Sequence, residues 1–214
     1  MALRPPSSPG NVRPPAINLP PVTLGLLIAM VVVHLVRLVA LPEVDRLLFV
    51  HLAFIPAAYL ADGWPFWSLL VAPFSYAFLH GGIGHLALNG VMLAVMGQVL
   101  ERRLGWPRFL LPFAAGTAGG AMVHVLIGGA PQAPLIGASA GVGGLFGAGL
   151  ILHRRGLGLG PNGQLLVALA GLFIIINLIG VVLPIQSRIA HAAHLGGFVA
   201  GALVAGRLSV LGRP

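Results

Sequence analysis

The chain has 214 residues, 57% hydrophobic and 7% charged, with a mean hydropathy of +0.98. That is too apolar for an ordinary soluble domain and points to a polytopic membrane protein. The net charge of +8 comes wholly from arginines at the ends of apolar segments, so no nucleic acid is expected as a partner; the absence of cysteine excludes disulfides, thiolate chemistry and Cys-based metal sites.

Residues 1–20, rich in Pro and Ser, read as a disordered cytoplasmic tail and not as a signal peptide, because the apolar run that follows is long enough to remain as a span. A membrane helix needs about 20 mostly apolar residues to cross a core of about 30 Å. Six such segments occur, at about 22–41, 83–100, 107–127, 136–153, 164–183 and 190–207. Pro42, the Arg102-Arg103 and Pro107 cluster, the 128–134 run, the Gly-rich 156–163 and Pro184 separate them. The expected fold is therefore all-α: a six-transmembrane-helix bundle at 21–208, followed by a short cytoplasmic tail at 209–214. With the N-terminus in the cytoplasm, nine arginines fall inside and only Arg37, Arg46 and Arg188 outside, which places both termini in the cytoplasm. The long connection 42–82 then lies outside. It carries Tyr59, Trp64, Trp67 and Tyr76, residues suited to the headgroup level, and is expected to lie in the interface. The fifth span is the most uniformly apolar and is expected to face lipid most.

Polar groups at bilayer depth are costly and suggest a use. Ser139 lies 14 residues from His153, about 21 Å at the helical rise of ~1.5 Å per residue. His194 and Asn89 each lie 13 residues from a cytoplasmic arginine, about 20 Å, with His85 one turn higher. All four therefore sit at one depth below the outer surface. Gly137, Gly141, Gly144 and Ala148 make a small face on the fourth span, and Gly197, Gly201 and Ala205 make another on the sixth. Such faces allow close backbone approach, which would bring Ser139 to His194. His85 and Asn89, four apart, share a face and can both donate hydrogen bonds. The Ser139 N–H, near a helix start, is a further donor. A nucleophile, a base and oxyanion donors are thus available.

These residues resemble the rhomboid family of intramembrane serine proteases. Gly137-Ala138-Ser139 with Gly141 is similar to its GxS motif; His80, His85 and Asn89, spaced H-x4-H-x3-N, to its second-helix motif; and Ala193-His194-Leu195-Gly196-Gly197 with Gly201 to its sixth-helix motif. The resemblance covers about 22–207 and implies a serine endopeptidase cutting in or near transmembrane segments of membrane proteins. By it, Ser139 is the nucleophile, His194 the base, and His85, Asn89 and the Ser139 N–H the oxyanion site, with His80, Gly137, Gly141, Gly197 and Gly201 in support. No metal or cofactor is implied. Two features depart from the family pattern. Gly143 stands where many members carry an aromatic residue that stacks on the histidine, leaving His191 as a possible neighbour of His194, and the long loop has no obvious Trp-Arg pair.

The four acids, Glu43, Asp45, Asp62 and Glu101, all lie in the outer loop or at an inner helix end, so the inventory permits a Ser–His dyad with no carboxylate partner. His34, His51, His124, His153 and His191 read as packing or interfacial residues; His80 could hold water, pin the loop or line the cavity. A histidine zinc site lacks a carboxylate base and an HExxH pattern. A transporter would distribute polar groups along a path instead of clustering them at one depth, and a non-cutting relative would lack the dyad. Substrate helices are expected to enter laterally from the membrane lipids and to unwind, with the fifth span and residues 184–188 as the gate. The site would open to the outer side, and the composition fits a bacterial inner membrane.

Overall fold

The computed structural model describes residues 18–127, 133–156, 159, 163–183 and 190–211. The expected tail up to residue 17, the 184–188 part of the expected gate and residues 212–214 lie outside the described residues. Eight helices are described: α1 Pro21–Val39, α2 Pro42–Leu52, α3 Phe66–Ser75, α4 Ile83–Leu104, α5 Trp106–Ile127, α6 Ser139–Arg154, α7 Gly163–Val182 and α8 His191–Leu211. α1, α4, α5 and α7 are long and apolar enough to cross a membrane. α6 and α8 occupy the fourth and sixth apolar segments, α6 with only 16 residues.

Each boundary has a local cause. α1 opens with Pro21 at a position whose N–H would have no partner in any case. Its next two N–H groups are capped from another helix: Val22 N and Thr23 N donate to the two Glu101 carboxylate oxygens at 2.9 and 2.7 Å, and Thr23 Oγ1 donates at 2.6 Å. Thr23 and Glu101 are buried, and a Cβ on Gly97 would lie 2.1 Å from Thr23 Oγ1, so glycine there permits the docking of α1 on α4. The negative charge at a helix N-terminus is favourable as well. α4 continues past the expected residue 100 to Leu104, with Arg102 and Arg103 in its last turn and Gly105 at φ 73° ending it.

The long connection between α1 and α4 folds into α2, α3 and two 3-10 turns, Pro56–Tyr59 and Tyr76–Phe78. It exposes Leu47, Phe66, Trp67, Leu70, Val71 and Phe74. Its anchors differ from a Trp-Arg pair. Arg37, in the last turn of α1, bonds Asp45 at 2.6 Å and lies over the Phe49 ring, while His51 packs between Trp64 and Trp67. Phe54 and Leu135 form an antiparallel bridge, with N–H···O distances of 3.2 and 2.8 Å. Buried Tyr76 donates its hydroxyl proton to Thr117 O at 2.8 Å, and its backbone carbonyl accepts from Gly137 N–H at 2.9 Å. This tether, with Gly137 at φ +106°, holds 135–138 out of the helix, so α6 begins at Ser139 and not at 136.

α6 is the centre of the bundle, buried almost along its whole length, and packs most extensively on α8 and α5. The close approach expected from the glycines is present, with a corrected division of labour. Gly197 and Gly201 of α8 press on the backbone of Ala140 and Gly144: an added Cβ would lie 2.2 and 2.1 Å from their carbonyl oxygens. Gly141 instead faces α5, where a Cβ would meet Phe113 at 2.7 Å and Thr117 Oγ1 at 2.8 Å. α6 is sandwiched between two helices, so its small residues must serve two sides.

Candidate active site

Ser139 is the first residue of α6, and its N–H belongs to the first turn, where no intrahelical acceptor exists. Its Oγ lies 2.7 Å from His194 Nε2 of α8, one turn above Gly197. Ser139 and His194 are half-buried, so the pair is shielded without being sealed. On the opposite side stands α4. Asn89 is buried, with Nδ2 donating to the His85 carbonyl at 2.9 Å, which leaves the second N–H of the amide for another acceptor. Gly81 N lies 3.5 Å from His85 Nδ1, an arrangement that makes Nδ1 the acceptor and leaves the proton on Nε2. His85 Nε2 reaches the Gly137 turn so closely that a Cβ on Gly137 would lie 2.6 Å from it and 3.8 Å from Asn89 Nδ2. The GxS glycine thus has two physical reasons, a left-handed backbone and the approach of His85.

His80 lies in the loop ahead of α4, outside the spanning helices. Its ring is buried against the edge of His85, with centroids 5.1 Å apart, and its carbonyl accepts from Arg37 Nη1 at 3.5 Å. Burial, and secondarily the neighbouring His85, lowers its pKa to about 4, so it is neutral at physiological pH. His124 reaches Ala133 O at 3.5 Å.

α7 supplies what the sequence reading did not foresee. Asn177, only 3% exposed, places Oδ1 2.7 Å from His194 Nδ1 and 3.0 Å from His191 Nδ1, while its Nδ2 donates to Phe173 O at 2.8 Å. Phe173 packs against His194 in a tilted arrangement, with centroids 5.6 Å apart and an interplanar angle of 34°. A Cβ on Gly143 would lie 3.1 Å from the Phe173 ring and 3.0 Å from His194 O. The aromatic absent from α6 is thus replaced by one from α7, in the space that Gly143 leaves. His191 fits over Gly180, where a Cβ would lie 2.3 Å from its ring. Phe173, Asn177 and Gly180 fall on one face of α7 turned to α8, while Leu172, Ile175, Ile176 and Ile179 are exposed on the others.

The four acids are elsewhere: Glu101 caps α1, Asp45 pairs with Arg37, and Glu43 and Asp62 are exposed. Among the described residues, no carboxylate bonds His194.

A helical bundle of apolar membrane helices around a serine–histidine hydrogen bond defines the class, a polytopic integral membrane protein with a polar site inside its helices. Residues 63–210 match the family model described as the Rhomboid domain, and the chain belongs to the rhomboid family. It is 32% identical over 135 residues to RHOMBOID-like protein 5 of Arabidopsis thaliana, covering 63% of this chain and 41% of that protein. To rhomboid protease GluP of Bacillus subtilis (strain 168) it is 34% identical over 146 residues, covering 67% of this chain and 26% of GluP. To RHOMBOID-like protein 4 of Arabidopsis thaliana it is 31% identical over 138 residues, covering 64% and 33% respectively. The chain therefore spans less than half the length of these three relatives.

Proposed function

We propose that the protein is an intramembrane serine endopeptidase that hydrolyses peptide bonds in or near transmembrane segments of membrane proteins. The observation that carries this reading is the 2.7 Å contact between Ser139 Oγ and His194 Nε2 at the mouth of a glycine-lined turn. Family membership and the protease name of one relative support it.

In this reading His194 Nε2 takes the hydroxyl proton as Ser139 Oγ attacks the scissile carbonyl carbon. The carbonyl oxygen becomes an anion and receives hydrogen bonds from the Ser139 N–H, His85 Nε2–H and the second Asn89 N–H. As the tetrahedral species collapses, the C–N bond breaks and His194 gives its proton to the leaving amine. Water then attacks the acyl-serine ester, with His194 again as base, releasing the acid and restoring Ser139. The backbone of α6 and α8 fixes both groups before substrate arrives, because Gly197 and Gly201 set the helix separation. His80, Gly137 and Gly141 support the same geometry from the loop, the turn and the α5 side.

Placing this site in a bilayer adds the rest of the reading. α1, α4, α5, α6, α7 and α8 are the six spans of a domain at 21–208. α2 and α3 lie in the outer interface, both termini are cytoplasmic, and the site opens outward in a bacterial inner membrane. Substrate segments enter laterally from lipid and unwind, since helical amides are shielded by their own hydrogen bonds.

The test is a fluorophosphonate probe together with a transmembrane substrate in proteoliposomes. The wild-type protein is expected to be labelled and to cleave. Ser139→Ala and His194→Ala should do neither while keeping the wild-type thermal melting profile. Cleavage that persists in Ser139→Ala would overturn the reading.

A further inference from the structure

We propose that Asn177 is a positioning residue for the base, so that the working unit is Ser139–His194–Asn177 with His191 as an auxiliary contact. The inference rests on the protease reading above, and it goes beyond the dyad. Its basis is the hydrogen-bond accounting around one carboxamide. Asn177 Nδ2 is committed as a donor to Phe173 O at 2.8 Å, so Oδ1 is the atom turned to the two histidines. An amide oxygen only accepts, hence His194 Nδ1, at 2.7 Å, must carry the proton. A neutral imidazole has one N–H. With it on Nδ1, Nε2 presents a lone pair to the Ser139 hydroxyl, the form a general base needs. Without Asn177, the tautomer protonated on Nε2 would be open to His194. That form could only donate toward Ser139 Oγ and would be idle as a base.

The second function is directional. Asn177 is nine-tenths or more buried, and its Oδ1 also meets His191 Nδ1 at 3.0 Å. The carboxamide is thus held by two other partners, Phe173 O and His191 Nδ1, while it holds His194. Phe173, one turn earlier on the same helix face, blocks ring tilting from one side. An amide in this role aligns the ring without burying a carboxylate at bilayer depth, where an anion is costly. The logic matches the asparagine of Cys–His–Asn sites on unrelated folds.

Three test variants, one assignment control and two readouts test it. Asn177→Leu keeps the volume and removes the acceptor; Asn177→Asp keeps the acceptor and removes the Nδ2 donor; Ser139→Ala reports on the protease reading separately. In proteoliposomes Asn177→Leu should lose about 10- to 100-fold in kcat, the scale of a misplaced catalytic group, with KM within about twofold of wild type. Asn177→Asp should recover most of that loss. Independently of turnover, ¹⁵N spectra of histidine-labelled protein should show His194 protonated on Nδ1 in the wild type and mixed in Asn177→Leu, with His194→Gln identifying the signal. Wild-type kcat in a folded Asn177→Leu, a loss confined to KM, an equal loss in Asn177→Asp, or an unchanged tautomer would each overturn the proposal. A wild-type protein that neither cleaves nor takes the probe would defeat the protease reading, while the tautomer spectra would still decide the role of Asn177.

Discussion

The rings of Phe173 of α7 and His194 of α8 pack against each other with centroids 5.6 Å apart, and Gly143 of α6 is what lets them meet. The three positions are coupled by volume. A side chain at residue 143 and an aromatic at residue 173 compete for the same space beside the imidazole.

Removing the plate with Phe173→Ala should lower kcat by up to about tenfold, equivalent to the ~0.5–1.5 kcal/mol of an aromatic pair. Gly143→Ala should also reduce activity, since its Cβ would stand 3.0 Å from His194 O and 3.1 Å from Phe173. In the Phe173→Ala background the Gly143→Ala change should cost clearly less. Strict additivity in a double-mutant cycle on kcat would argue against a shared space.

His85→Ala and Asn89→Ala are each expected to lower kcat by about 10²–10³, the usual cost of one oxyanion donor. Substrate affinity should change little. Titrating cleavage rate against substrate density in vesicles separates the two effects, and a loss mainly in KM would make these residues substrate contacts instead.

Gly137→Ala should be nearly inactive in a folded protein. The backbone at φ +106° costs a residue with a Cβ about 1–3 kcal/mol, and the methyl would displace His85 Nε2, 2.6 Å away. A displacement of that kind near reacting groups is worth about 10²-fold. Probe labelling at the wild-type rate would show that the turn tolerates the change.

Glu101 predicts the opposite pattern, stability without chemistry. Glu101→Leu leaves Val22 N, Thr23 N and Thr23 Oγ1 without their acceptors, at about 1–3 kcal/mol for each buried group. The melting temperature in detergent should fall, and less so in Glu101→Gln, which keeps one acceptor oxygen. Measured below the transition, kcat should stay at the wild-type value. A selective loss of kcat would place Glu101 in the machinery.

The sequence alone determined the helical, membrane-embedded class, because 57% apolar composition in segments of spanning length has few other solutions. It also brought out Ser139, His194, His85 and Asn89, since polar groups stand out where nearly everything else is apolar. Asn177 carried the same signal. It lies 14 residues along α7 from Gly163, about 21 Å, the same spacing as Ser139 from His153. The average hydropathy of the fifth span makes it read as lipid-facing, and an average hides one face. Which sides of the helices meet is settled only by tertiary packing. Small residues permit close approach without saying to whom, so the split of Gly141 toward α5 and Gly144 toward both neighbours could not be read along the chain. The replacement of a missing α6 aromatic by Phe173 likewise depends on the rotation of α7 about its own axis. The trans capping of α1 by Glu101 depends on a contact 79 residues long. Local pattern fixes what a helix buries; the partner that fills the space is set by packing against helices distant in sequence.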